Sequence, residues 1–184
     1  QSMAHFRRPD GSPITPRGKD GEIPVTKVEC TGTTEFRQFA NVSLPSEEIL
    51  QFRTVRGGVR VAEIVTPSVR QAVRNHFDCQ ELPGAELESG ESLPLSSTVG
   101  EMSCIGDHWE RRLFKSDLLN PIVDGLEFNP RISTTTLAFF ADSGWYQVDL
   151  SRSSLSASWG RGAGCAFVEE NCINNDGQVP PRYE

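Results

Sequence analysis

The fold of this chain is decided around residues 66–79, which read TPSVRQAVRNHFDC. A threonine followed by proline opens this stretch, which is typical of a helix start: the hydroxyl can cap the first turn, and proline lacks an amide hydrogen that would stay unpaired there. Val69, Val73 and Phe77 then recur at helical spacing. The pattern predicts a helix over about residues 67–78.

The chain before this helix is predicted to contain turns, a short helix and a strand. Residues 1–24 are rich in proline and glycine, which indicates irregular turns. Residues 47–52 predict a short helix capped by Ser46. Residues 59–65 follow a pair of glycines and alternate as a strand does.

The chain after this helix is predicted to be extended or loop-rich, apart from one more helix. Residues 82–88 indicate an extended segment, and residues 89–106, rich in serine and glycine, indicate a long loop. A serine cap precedes a predicted helix over residues 134–142, and Gly144 is placed to end it. Residues 145–150 alternate like a strand. Helices and strands without a repeated strand-helix rhythm predict an α+β fold.

The charge balance argues against nucleic acid as a partner. The chain has 18 Lys+Arg against 25 Asp+Glu, a formal net charge of −7, whereas binding to phosphates or to an anionic membrane surface needs a concentrated basic face. No apolar run approaches the roughly 20 residues that span a bilayer. The amino end has no secretory apolar segment.

Cysteine spacing and one short motif favour an extracellular setting. None of the five cysteines forms a CxxC pair, which argues against a thiol redox motif or a zinc ribbon. Their wide spacing suits disulfides in an oxidising compartment. The triplet Asn41-Val42-Ser43 makes Asn41 a candidate for N-glycosylation. The cysteines are Cys30, Cys79, Cys104, Cys165 and Cys172.

Three histidines are the candidate metal ligands. Zinc hydrolases usually take three protein ligands, two of which an HExxH helix can supply, and this chain contains no HExxH. His76 has no paired histidine at helical spacing and His5 lies in the proline-rich start, so both are predicted to be ordinary residues. His108 is followed by Trp109 and comes directly after the serine-rich loop. From the residues alone, His108 is either a ligand or a structural histidine.

The other polar candidates are predicted to have no catalytic role. Asp107 precedes His108 directly, and adjacent side chains in an extended segment point to opposite faces. Glu86 and Glu88 are predicted to form a solvated strand edge. Residues 159–164 are rich in glycine but lack the Lys-Ser/Thr of a phosphate loop, which indicates a tight turn.

Several sequence blocks occur in a fixed order along the chain. They read AVRNHFDC (72–79), LPGAELE (82–88), GDHWERR (106–112), DLLNP (117–121) and, within residues 136–167, TLAFF, GWY and WGRGAGCAF. Together these blocks resemble the leishmanolysin family of zinc endopeptidases. The similarity covers roughly residues 66–173 and, more weakly, the chain before them.

The resemblance implies a fold, a metal and a site. It implies the central subdomain of a metzincin-like metalloprotease, α+β in class, loop-rich and disulfide-linked. Residues 1–168 would belong to the central region and residues 169–184 would begin the C-terminal domain. His108 matches the third zinc-binding histidine of the family. Leu119 stands where the family places the methionine of a turn beneath the metal.

The resemblance also implies what this chain lacks. The HExxH helix would lie immediately upstream of Gln1, so we expect a carboxyl-side piece of a longer protein that is inactive when isolated. Cys79 and Cys165 pair in the family, and Cys172 would pair with a residue beyond Glu184. Cys30 and Cys104 have no family partners that map here, and we hypothesise that they pair with each other.

The expected function of the parent is that of a zinc metalloendopeptidase cleaving proteins or peptides. The resemblance places it at the cell surface or in the secreted fraction, with membrane association of the parent left open. The alternative is a non-catalytic adhesion or binding protein on a protease scaffold, contacting host or extracellular-matrix proteins. Leu119 in place of methionine favours this alternative. A relic without a stable fold is a third expectation.

Overall fold

The computed structural model describes residues 3–31, 39–89, 105–121, 131–154, 159–173 and 177–179. Helices and strands are mixed along them, which confirms the α+β class. The strands are β1 (Val25–Glu29), β2 (Phe39–Ser43), β3 (Leu50–Val55), β4 (Val59–Ile64) and β5 (Ala85–Glu86). The helices are α1 (Pro67–Phe77), α2 (Thr134–Asp142) and α3 (Cys165–Glu169), with short 3-10 turns at Met3–His5 and Leu150–Arg152.

The strands form two antiparallel sheets. One sheet pairs β1 with β2, and the other has three strands in the order β3-β4-β5. The predicted strand over residues 59–65 is confirmed as β4. The predicted helix over residues 47–52 is wrong, because Leu50 begins β3 and pairs with Ile64 across the β3–β4 hairpin. Pairing with β4 determines the conformation of this segment, and the local sequence pattern does not reveal that pairing.

Helix α1 confirms the prediction over residues 67–78 and differs from it in its cap. Its apolar side, including Val69 and Phe77, is buried in the core. Thr66 makes no side-chain cap bond to the helix. Instead, Asp142 Oδ2 at the end of α2 accepts from the amides of Ser68 (2.8 Å) and Val69 (3.2 Å). A carboxylate at a helix N-terminus also complements the helix dipole, so α2 stabilises the start of α1.

Helix α2 has the cap that the sequence predicts. Ser133 Oγ accepts from the Thr136 amide at 3.1 Å. Gly144 follows the helix with φ +73°, and a Cβ there would come within 2.3 Å of the Arg7 carbonyl oxygen, so glycine is required. The predicted strand over residues 145–150 is wrong. Trp145 is 44% exposed and meets no partner strand among the described residues, and its indole donates to the His5 carbonyl oxygen at 3.0 Å.

A disulfide links the end of α1 to the start of α3. Cys79, just after α1, is bonded to Cys165 at the start of α3, as the resemblance implies. Helix α3 was not predicted from its sequence. Cys30 is also disulfide-bonded, while its hypothesised partner Cys104 lies outside the described residues. Cys172 holds a free thiol in the described part of the chain.

A buried ion pair ties the β3–β4 turn to β5. Arg56 Nη1 donates to Glu86 Oε2 at 2.7 Å, and Arg56 Nη2 donates to the other carboxylate oxygen. Their side chains are 11% and 1% exposed. The prediction that Glu86 forms a solvated edge is therefore wrong, because an arginine 30 positions away in sequence covers it.

Removing Arg56 is expected to destabilise the chain strongly. Arg56→Met leaves the Glu86 carboxylate buried without its partner, which costs about 3–5 kcal/mol of unfolding free energy. The double variant Arg56→Met/Glu86→Leu should recover most of that loss, because no charge is then left unpaired. Urea unfolding of the 184-residue chain measures both variants.

The matched control is the exposed pair of Arg8 and Glu48. These side chains also bond through both carboxylate oxygens, at 3.0 and 2.8 Å, but they are 43% and 59% exposed. Arg8→Met should shift the urea midpoint far less, because water solvates the remaining carboxylate. An equal shift for Arg8→Met and Arg56→Met would contradict the role given to burial.

Candidate metal centre

The segment that carries His108 is fixed by backbone hydrogen bonds on both sides. The Glu88 amide donates to the His108 carbonyl oxygen at 2.9 Å, and the Glu110 amide donates to Glu86 at 3.0 Å, which continues the sheet beyond β5. On the other side, the Trp109 amide donates to the Leu119 carbonyl oxygen at 3.0 Å. The backbone at His108 is therefore held by hydrogen bonds within the chain.

The neighbouring tryptophan anchors this segment in the core. Trp109 is 1% exposed, and its indole donates to Thr136 Oγ1 at 2.8 Å. Thr136 in turn donates to Asp117 Oδ1 at 2.7 Å. The His108 side chain, directly before it in the sequence, is 42% exposed, so the buried indole anchors the segment while the imidazole stays accessible.

Three possible metal-binding side chains meet at this position. His108 Nδ1 lies 2.5 Å from Glu88 Oε1 and 3.2 Å from Asp107 Oδ1. One ligand atom from each of the three residues lies within 4.8 Å of the other two. Imidazole nitrogen is a donor that zinc accepts in proteins, so His108 fits this metal, and a carboxylate beside it can either bind the metal or orient the ring.

Two sequence predictions are corrected at this cluster. Glu88 was predicted to lie on a solvated edge, but its side chain is only 17% exposed and contacts His108. Asp107 was predicted to point away from His108, yet its carboxylate reaches the same ring nitrogen while remaining 83% exposed. No sequence signal marks the Glu88 contact, because it joins residues 20 positions apart.

Leu119 lies directly against the histidine segment. Its carbonyl oxygen accepts from Trp109, and its amide donates to Asp117 Oδ1 at 2.8 Å. The same Asp117 oxygen accepts from Thr136. One buried carboxylate therefore orders both the turn at Leu119 and, through Thr136, the tryptophan beside His108.

An apolar groove opens next to the cluster. Its volume is about 590 Å³, and Asp107 and Gly106 lie on its wall. The remaining wall is largely aromatic and aliphatic and includes Phe6, Leu119, Phe139, Phe140, Trp145 and Tyr146. The cluster of Glu88, Asp107 and His108 thus borders an extended apolar surface.

The other two histidines lie outside the cluster of Glu88, Asp107 and His108. His76 Nε2 lies 2.9 Å from the Trp159 carbonyl oxygen. Burial lowers the pKa of His76, which favours its neutral form. His5 is exposed at the surface. Neither residue belongs to the group of possible metal ligands found among the described residues.

Burial also changes the pKa of the Glu110 carboxyl group, two positions after His108. Burial raises the pKa of Glu110 above its ordinary value, while its bond from the Arg112 amide at 3.1 Å acts in the opposite direction. The folded chain therefore binds this proton more tightly than the unfolded chain does. This carboxyl consequently contributes less to stability as the pH rises through its raised pKa.

A family model for leishmanolysin matches residues 33–181 of this chain. The chain belongs to the leishmanolysin family. It is 34% identical over 174 residues to a leishmanolysin-like peptidase of Drosophila melanogaster, covering 92% of this chain and 22% of the relative. It is 36% identical over 104 residues to the ciliated left-right organizer metallopeptidase of Homo sapiens, an alignment that covers 56% of this chain and 12% of the relative. It is 31% identical over 102 residues to the leishmanolysin of Leishmania donovani, and that alignment covers 55% of this chain and 15% of the relative.

Membership in this metallopeptidase family confirms the resemblance carried by the sequence blocks. The chain spans about a fifth of the length of its Drosophila relative. The domain division at residue 168 stays a prediction, and residues 180–184 lie outside the described part. Asn41 is exposed on β2, and its glycosylation stays a prediction. Within the described ranges, no helix combines the length and apolar character needed to cross a bilayer.

Proposed function

We propose that this chain is part of a zinc-dependent metalloendopeptidase and contributes the third zinc-binding histidine, His108. The observation that supports this most is the placement of His108. Its backbone is held between Glu88 and Leu119, while its ring lies 42% exposed beside a carboxylate. A ligand held in position before the metal arrives loses little freedom on binding.

The chemistry assigned to this chain is metal binding and orientation. Zinc, when bound, lowers the pKa of a coordinated water and polarises the scissile carbonyl group of a peptide. Catalytic zinc sites use three protein ligands and leave one position open. His108 would supply one ligand, and the HExxH helix of the family would supply two ligands and the general base. The 184 residues contain no HExxH, so the isolated chain should not hydrolyse peptides.

The disulfides support the proposed location at the cell surface or outside the cell. Cys79 is bonded to Cys165, and Cys30 is also disulfide-bonded. Disulfides persist in oxidising compartments and are rare in the cytosol. The proposed substrates are proteins or peptides, as family membership implies.

A binding role without catalysis is the second candidate. It is favoured by Leu119, which occupies the position of the family's methionine turn. Leucine is close to methionine in volume, and such exchanges usually cost less than about 1.5 kcal/mol. The exchange therefore leaves the scaffold intact for binding host or matrix proteins, while the loss of the family's methionine beneath the metal is what favours a role without catalysis.

The test is a peptidase assay on the longer protein that includes the sequence upstream of Gln1. We expect cleavage of a denatured protein substrate that a zinc chelator abolishes and added zinc restores. The 184-residue chain serves as the inactive control. A longer protein with an intact HExxH helix, correctly folded and loaded with zinc yet inactive, would point instead to the binding role.

A further inference from the structure

Glu88 is the less exposed of the two carboxylates that contact His108, the proposed metal ligand. Its carboxylate oxygen lies 2.5 Å from His108 Nδ1, and its side chain is 17% exposed. Asp107 also reaches Nδ1, but at 3.2 Å and with 83% of its side chain exposed. A hydrogen bond to a charged group is stronger where water is partly excluded. Glu88 is therefore the partner that dominates at this ring nitrogen.

The backbone brings Glu88 and His108 together independently of their side chains. The Glu88 amide donates to the His108 carbonyl oxygen at 2.9 Å. Gly106 lies so close that an added Cβ would come within 2.0 Å of Glu88 Cγ and 2.4 Å of the Glu88 carbonyl oxygen. A glycine at this position thus permits an approach that any other residue would obstruct.

The contact determines which nitrogen of His108 is available to a metal. A neutral imidazole carries one N–H, and a carboxylate at Nδ1 favours the proton on that nitrogen. The lone pair is then on Nε2. Because Nδ1 is engaged by Glu88, it does not serve as the metal-binding atom, and Glu88 acts on the ring instead of joining it as a ligand.

We propose that Glu88 is a positioning residue that holds His108 in the Nδ1–H form and presents Nε2 to the metal. The metal-presenting part of this proposal rests on the proposed function, whereas the control of the tautomer does not. Carboxylates that accept the second N–H of a metal-binding histidine fix its orientation and raise its basicity.

The first test is the tautomer of His108 in the metal-free 184-residue chain, measured by ¹⁵N NMR of the ring nitrogens. We expect the Nδ1–H form in the wild type. Glu88→Ala should shift the ring to the Nε2–H form that a solvated imidazole prefers. Glu88→Gln keeps an oxygen acceptor and should restore part of the Nδ1–H population.

The controls are within the same chain. Asp107→Ala removes the exposed carboxylate and should leave the His108 tautomer unchanged. His5 and His76 provide reference signals that no Glu88 variant should move. An unchanged His108 tautomer in a folded Glu88→Ala chain would overturn the inference, whatever the behaviour of the metal.

The second test separates this inference from the proposed function. In the longer protein, Glu88→Ala should weaken zinc affinity about 10–100-fold, measured by competition with a chelating dye. Glu88→Gln should recover part of it. If the tautomer follows Glu88 but His108→Ala leaves zinc affinity unchanged, the proposed function fails, and the metal-presenting role of Glu88 fails with it.

Discussion

His108→Ala is expected to abolish zinc-dependent peptide hydrolysis by the longer protein. Loss of this ring removes one of the three ligands that a catalytic zinc site requires. Zinc affinity should fall by more than the roughly 10–100-fold typical of losing a residue that only orients a ligand. Peptidase assays and chelator competition on the same protein sample measure the two effects.

Stability provides the check that this loss is local. The His108 ring points outward, whereas the segment is anchored by the buried Trp109. The metal-free unfolding midpoint should therefore fall only by what the contact between His108 and Glu88 contributes. His5→Ala removes another exposed histidine and should retain activity. Zinc-dependent hydrolysis that survives His108→Ala would rule out His108 as a ligand.

Removal of the disulfide between Cys79 and Cys165 should cause the largest loss of stability. The two cysteines are 86 positions apart in sequence. In the chain-entropy model, opening a loop of this length costs about 4–5 kcal/mol, because the unfolded chain gains freedom. The double variant Cys79→Ala/Cys165→Ala should therefore unfold at much lower urea concentration, as measured by circular dichroism.

Cys172→Ser is the matched control for the disulfide. It replaces a free thiol of intermediate exposure and leaves the Cys79–Cys165 bond in place. Its urea midpoint should remain near that of the wild type. If the double variant were as stable as Cys172→Ser, the disulfide would not restrict the unfolded chain in the way that the chain-entropy model requires.

The sequence predicts those elements whose signals are local. Helices α1 and α2 follow from apolar spacing and from proline, serine and glycine at their ends, and β4 follows from alternation. The segment from Leu50 was wrongly predicted as a helix because pairing with β4 outweighs its own pattern. The cap of α1 was also wrong, because Asp142 lies 74 positions beyond the amide of Ser68.

The residues of the candidate site also differ in how well the sequence predicts them. His108 is found through its resemblance to a family motif, and Trp109 beside it is recognisable as a buried anchor only once its bond to Thr136 is known. Glu86 and Glu88 look like a polar strand edge in the sequence. Their partners, Arg56 and His108, lie 30 and 20 positions away, and only the folded chain brings them together.

The contact between Gly106 and Glu88 has a consequence for how this protein can evolve. An added Cβ at Gly106 would come within 2.0 Å of Glu88 Cγ. Such a side chain would push Glu88 away from its backbone bond with His108. Descendants of this sequence are therefore expected to keep glycine at position 106 even where the residues around it change.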